Sequence, residues 1–228
     1  MGRPTLALER QLLAQGARAV VGLDEVGRGA LAGPVAVGAV MVTARCVRRA
    51  PAGIRDSKDL TMAARGRLAT AIDRWSASSA VGMASPAEVD ALGVLVALRL
   101  AAGRSLAQLR PTSKIDVILL DGNVDYLSRG GESDPSEPAV ERVITEVKAD
   151  SKRTSVAAAS IVAKVARDDL MRRLAADEDR YGWERNKGYA SAEHTAALRR
   201  WGPSGQHRLS WRLPGLPSAS RDDGMGQR

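Results

Sequence analysis

One cysteine, two histidines and no phenylalanine occur among the 228 residues. Cys46 has no second thiol to pair with, so an internal disulfide is excluded and nothing points to an oxidising compartment. His194, His207 and Cys46 are too few for a zinc-type shell of nitrogen and sulfur, so a metal here would take oxygen ligands. No apolar run reaches the roughly 18 residues that span a bilayer, and the first twenty residues lack the pattern of a signal peptide. A cytoplasmic protein without membrane contact is expected. A nucleotide P-loop and a nucleophile elbow are also missing. Gly27, Gly29 and Gly33 have the wrong spacing for a dinucleotide loop, and no helix pattern follows them.

Positive charge is in excess, +8 at neutral pH, which suits a polyanionic partner but alone is equally compatible with a solvated basic surface. The length suffices for one domain with a full core. Strand-like and helix-like segments alternate, which predicts an α/β fold. Ala19 to Leu23 and Pro34 to Thr43 are expected strands on either side of a glycine turn, and Ala80 to Ala84 a weaker one. Thr61 is placed to cap a helix with Leu68, Ile72 and Trp75 on one face. From Pro86 a longer helix is expected to bury Leu92, Leu95, Val96 and Leu100 as one stripe and to end before Pro111. Ile115 to Leu120 and Val140 to Val147 read as strands around a polar surface loop, Ser128 to Pro138. Ser155 opens a long helix in which Ala158, Val162, Ala166, Leu170 and Leu174 recur, with Asp168 and Asp169 expected in surface ion pairs. A short helix follows near Glu193 to Trp201. The expected division is a variable leader over 1–16, one domain over 17–213 that is helical from about 155, and a disordered tail over 214–228.

Carboxylates recur where strands are expected to end. Asp24 and Glu25 follow the first strand, Asp121 the strand that runs into Gly122-Asn123, and Asp150 the later one. Open α/β sheets assemble sites at strand ends, so residues remote in sequence can converge. Neighbouring residues of a strand face opposite ways, so Asp24 and Glu25 share a site only if the strand stops there and the chain turns. The glycines of Gly27-Arg28-Gly29 supply such a turn and leave backbone N–H groups open to a sugar or phosphate. Four clustered carboxylates repel one another unless cations or protons intervene, and Mg²⁺ or Mn²⁺ suits an all-oxygen set. Two such ions serve phosphodiester hydrolysis. Taken singly, Asp121 and Asp150 are better explained as turn or capping residues, and only Asp24 and Glu25 point to function.

Seven motifs in one order carry a resemblance over most of the chain, from about Val20 to Trp211. They are Gly22 to Gly29, Asp56-Ser57-Lys58, Asp121-Gly122-Asn123, Lys148 to Lys152, Ala157 to Lys164, Lys187-Gly188-Tyr189 and His207 to Trp211. In them the chain resembles the type 2 ribonuclease H family, specifically the bacterial ribonucleases HII. The resemblance implies a ribonuclease H-like fold, a central mixed β-sheet flanked by helices with a C-terminal helical extension. It implies that Asp24, Glu25, Asp121 and Asp150 are the catalytic carboxylates and hold two Mg²⁺ or Mn²⁺ ions. Gly27-Arg28-Gly29 matches the segment that senses the ribose 2′-hydroxyl, the group that separates RNA from DNA. Tyr189 matches the tyrosine that stacks on the sugar after the ribonucleotide, and Lys58 and Lys152 match phosphate contacts.

The implied substrates are RNA/DNA hybrids and duplex DNA with embedded ribonucleotides, cut on the 5′ side of the ribonucleotide by a monomer. Asn186 stands where relatives often carry histidine. The related type 3 enzyme is disfavoured by the short leader and by Tyr189. A non-catalytic nucleic-acid-binding module is disfavoured by the four strand-end carboxylates.

Overall fold

Val35 to Val42 is buried at every position, which requires a strand with neighbours on both edges and cover on both faces. That strand is β2 of a five-stranded sheet in a computed structural model that describes residues 3–109, 115–128 and 142–216. Apart from Ser128, the loop expected up to Pro138 lies outside the described residues, as do Val140 and Glu141 and the tail from 217.

Along the chain run α1 (Ala7–Ala14), β1 (Val20–Val26), β2 (Val35–Val42), α2 (Met62–Trp75), β3 (Ser78–Ala84), α3 (Pro86–Leu92), α4 (Val94–Gln108), β4 (Val117–Asp121), β5 (Arg142–Glu146), α5 (Thr154–Asp177), α6 (Trp183–Asn186) and α7 (Ala192–Trp201). The sheet order is β3-β2-β1-β4-β5. β1, β2 and β3 pair antiparallel, while β4 runs parallel to both β1 and β5, so the sheet is mixed.

Helix α4 covers one face, where Val21, Leu23, Val37 and Ala39 meet Ala97, Leu98 and Ala101. Helices α2 and α5 cover the other, where Val40 meets Ile72, Ala158 and Ile161. Gly22 and Gly38 bring α5 close: a methyl at either would lie 2.3 Å from the helix backbone, at Ser155 and Ala159 respectively. Enclosure by sheet and neighbouring helices buries α5 on every side from Thr154 to Ala163, so its first half has no single apolar stripe. Farther along, the buried positions are Arg167, Asp168, Met171 and Ala175, while Ala166, Leu170 and Leu174 are only half-buried. Asp168 is therefore no surface residue: it accepts from Lys164 at 2.8 Å, and Arg65 stands 4.0 Å away.

The expected helix from Pro86 is two helices. Gly93, at φ 78°, breaks it and resets the helical phase. Leu92, Leu95 and Val96 are consequently exposed, and α4 buries Ala97, Leu98, Ala101, Ala102 and Leu106 instead. Small side chains suit that face because the helix lies against the sheet at Gly82. Thr61 caps α2 as expected, accepting from the Ala64 N–H at 3.2 Å. The first residues are tied into the core. Leu6 and Leu12 are buried, and the fully buried Glu9 carboxylate accepts from the Ser155 N–H at 2.9 Å and hydroxyl at 2.8 Å. An anion is favourable at that place, the first turn of α5.

Candidate active site

The β1–β4 ladder stops at Leu23 opposite Leu120, but β1 continues beside β2 until Val26 faces Ala36. The expected strand end after Leu23 is thus displaced by three residues on one edge only. Asp24 and Glu25 lie where two parallel strands part, and Asp121 ends β4 beside them. Alternation turns the two side chains to opposite faces. Asp24 faces the α5 side, near Ser160, whereas Glu25 reaches the Arg28 guanidinium at 3.4 Å. Asp121 accepts from the Ala149 N–H at 2.6 Å, which fixes the single turn Ala149–Ser151 carrying Asp150.

The charge of these carboxyls is only partly compensated. Burial, reinforced by Glu25, Asp121 and Asp150, pushes Asp24 well above the ordinary carboxylate range. Burial also raises Glu25, with Asp121 adding to it and Arg28 opposing. Asp150 is raised by burial, then by Asp56 and Asp121, while Lys58 opposes. Among the described residues no three acidic, histidine or cysteine side chains stand ready as a metal cage. Glu25 Oε2 and the Tyr126 hydroxyl are buried without hydrogen-bond partners. Oxygen donors, mutual repulsion and an orphaned buried carboxylate oxygen together fit a hard divalent cation.

The glycine turn forms the opposite wall. Gly27 takes φ +83°, and a methyl there would collide with the Arg167 side chain 2.1 Å away; a methyl on Gly29 would meet no protein atom within 4 Å. Two buried arginines hold this turn through backbone carbonyls. Arg208 donates to Gly27 at 2.6 Å, Arg28 at 2.8 Å and Gly33 at 3.1 Å. Arg167 donates to Pro34 at 2.8 Å, Ala32 at 3.1 Å and Lys187 at 2.9 Å. Burial, with Arg167 adding repulsion, lowers Arg208 to about 10.

Tyr189 closes the wall, its hydroxyl accepting from the Gly27 N–H at 3.1 Å. Its carbonyl is held by a histidine pair. Because His207 Nδ1 accepts the Ser204 N–H at 2.9 Å, its proton sits on Nε2 and points to His194 Nε2 at 3.0 Å. His194 then donates from Nδ1 to the Tyr189 carbonyl at 3.0 Å. Asn186 serves the same segment, donating to the Tyr181 carbonyl at 2.7 Å and accepting from the Gly188 N–H at 2.8 Å.

A cleft of about 410 Å³ gathers Asp24, Glu25, Gly27, Arg28, Gly29, Lys58 and Tyr189. Asp121 and Asp150 do not line it, although the charge of both raises Asp24. Lys152 is not brought there: it donates to Glu146 at 3.2 Å and to the Val147 carbonyl at 2.9 Å. Ser57, Ser160 and Lys164 line the cleft from within two of the matching motifs, although their residue types gave no sign of it. Arg167, Arg208 and Tyr126 were likewise missed. An arginine inside an otherwise helical core segment is the one available signal, and it marks Arg167.

The family profile for Ribonuclease HII matches residues 21–213. The chain belongs to the ribonuclease HII family. A ribonuclease HII of Streptomyces coelicolor is 46% identical over 94% of this chain and 86% of the relative. The crystal structure of ribonuclease H2 from Pyrococcus horikoshii superposes with a TM-score of 0.70 at 26% identity, covering 86% of this chain and 94% of that one. Bst-RNase HIII, solved in complex with Mn²⁺, gives 0.67 at 26% identity over 92% of this chain and 71% of its own. The ribonuclease H-like fold expected from the motifs is the fold found. As a member of this family the chain is a hydrolytic endoribonuclease acting on RNA/DNA hybrids. No helix among the described residues is long and apolar enough to cross a membrane.

Proposed function

We propose that the cleft binds a duplex containing ribonucleotides and hydrolyses the phosphodiester on the 5′ side of a ribonucleotide, leaving 3′-hydroxyl and 5′-phosphate ends. Asp24, Glu25, Asp121 and Asp150 hold two divalent cations, Mg²⁺ or Mn²⁺. Bound there, such ions supply activation of water and stabilisation of charge on the phosphate oxygens. Arg28 and Lys58 contact backbone phosphates, which adds affinity without reading sequence. Gly27 and Gly29 present backbone to the 2′-hydroxyl, and Tyr189 packs against the following sugar. The carrying observation is the mutually repelling carboxyl set where β1 and β4 part, beside a backbone turn held by Arg208.

Incubation with a DNA duplex holding one ribonucleotide tests this reading. Cutting beside the ribonucleotide is expected with Mg²⁺ or Mn²⁺, and Asp24→Asn should slow it at least about a hundredfold. Failure of both metals, or full activity of the variant, contradicts the reading. Gly29→Ala provides a finer test. Open space surrounds that position, so the fold should keep its stability while cleavage beside a ribonucleotide falls, because only the ligand would meet the methyl. Unimpaired cleavage would remove Gly29 from the sugar contact.

A further inference from the structure

At the end of β1 remote from the carboxylates, the turn after β2 and the end of α2 enclose a concavity of about 1050 Å³. Arg18, Arg45, Arg48, Arg49 and Arg74 line it, and no acidic side chain does. Asp116 neutralises Arg18 at 2.8 Å. Among the described residues no carboxylate pairs with the other four. The Ser76 hydroxyl, which also lines the concavity, is buried without a hydrogen-bond partner. Unpaired guanidinium groups around one hollow repel each other, and an anion with several acceptor oxygens relieves that repulsion. Planar guanidinium forks match phosphate oxygens two at a time.

Asp24 lies six residues beyond Arg18, most of them in β1, so the two are at most about 20 Å apart along the chain at about 3.3 Å per residue. We propose that this concavity is a second nucleic-acid site, holding the phosphate backbone of a duplex segment other than the one being cut. The inference rests on the nuclease reading. A polymeric substrate held at the first site keeps further phosphates at high local concentration around the second, which favours nucleic acid over an acidic protein as occupant.

The test is the variant Arg45→Ser/Arg48→Ser/Arg49→Ser, with Arg74→Ser as an independent second, each checked for an unchanged melting temperature. Binding to a long all-DNA duplex is measured across a salt series, beside cleavage of a short duplex with one ribonucleotide. The triple variant should bind the long duplex at least about tenfold more weakly at low salt. Its log–log salt slope should be shallower by about 2 to 3, at about 0.9 for each phosphate that an arginine no longer neutralises. Short-duplex cleavage should be unchanged. Unchanged affinity and slope overturn the proposal. So does an equal loss on the short duplex, which would place these arginines at the catalytic cleft. Competition by polyglutamate as effective as by DNA would overturn it in favour of an acidic protein partner. If the parent cuts no ribonucleotide, the nuclease reading fails, whereas loss of long-duplex binding in the variant reports on the concavity alone.

Discussion

At Asp24 and Glu25 the cleft holds carboxyls raised by burial and by neighbouring carboxylates, with Glu25 Oε2 left without a partner, whereas Arg167 and Arg208 opposite them are buried cations spread over backbone carbonyls. Both walls incur desolvation, yet only the second recovers it within the protein. The difference assigns separate duties. The arginines fix the shape of the glycine turn before any ligand arrives, and the carboxyls hold a mutual repulsion that, on the proposed reading, an arriving cation would relieve.

Removing the arginine support should do the greatest damage. Arg208→Met leaves the Gly27, Arg28 and Gly33 carbonyls without that donor, and a loss on the order of 3–5 kcal/mol is expected in chemical denaturation. A change below about 1 kcal/mol would mean that the turn holds itself. The carboxyl wall should respond with the opposite sign. Asp24→Asn removes one of several repelling charges, so the cation-free variant should melt about 2–4 °C higher even as it loses activity. A lower melting point would break the comparison.

Acid should divide the walls more gently. His207 is lowered to about 4 by burial and by His194, below its ordinary 6.5, so the unfolded chain binds the extra proton first. Its contribution to stability is present above about 6.5 and is lost as pH falls toward 4. Glu178, Glu193 and the Ser204 and Tyr189 backbone are the other groups acting on the pair. Asp24, raised in the fold, contributes the other way: acid favours its neutral, folded form. His207→Gln should therefore flatten the melting-temperature profile between pH 6.5 and 4. An unchanged profile would show that the pair does not control acid stability.

Much of the sheet and the start of α2 were legible because β-branched runs and a capping Thr61 state their local preference directly. Asp121 at a strand end followed from the same pattern. The exposed Leu92, Leu95 and Val96 were not legible, since their burial depended on the phase break at Gly93. Neither was the separation of Asp24 from Glu25 across a continuing strand, which depends on where β4 stops. Arg167, Arg208 and the histidine pair act on carbonyls remote in sequence, and no spacing rule announces such contacts.

Thermal melting of the parent and of Asp24→Asn across a Mn²⁺ series tests the central claim most directly. A cation that binds only the folded carboxyl set should stabilise the parent by about 2.7 kcal/mol at roughly a hundred times its dissociation constant. The parent's melting temperature should climb by several degrees while the variant's stays nearly flat. A parent that does not respond, or a variant that climbs equally, would contradict the account.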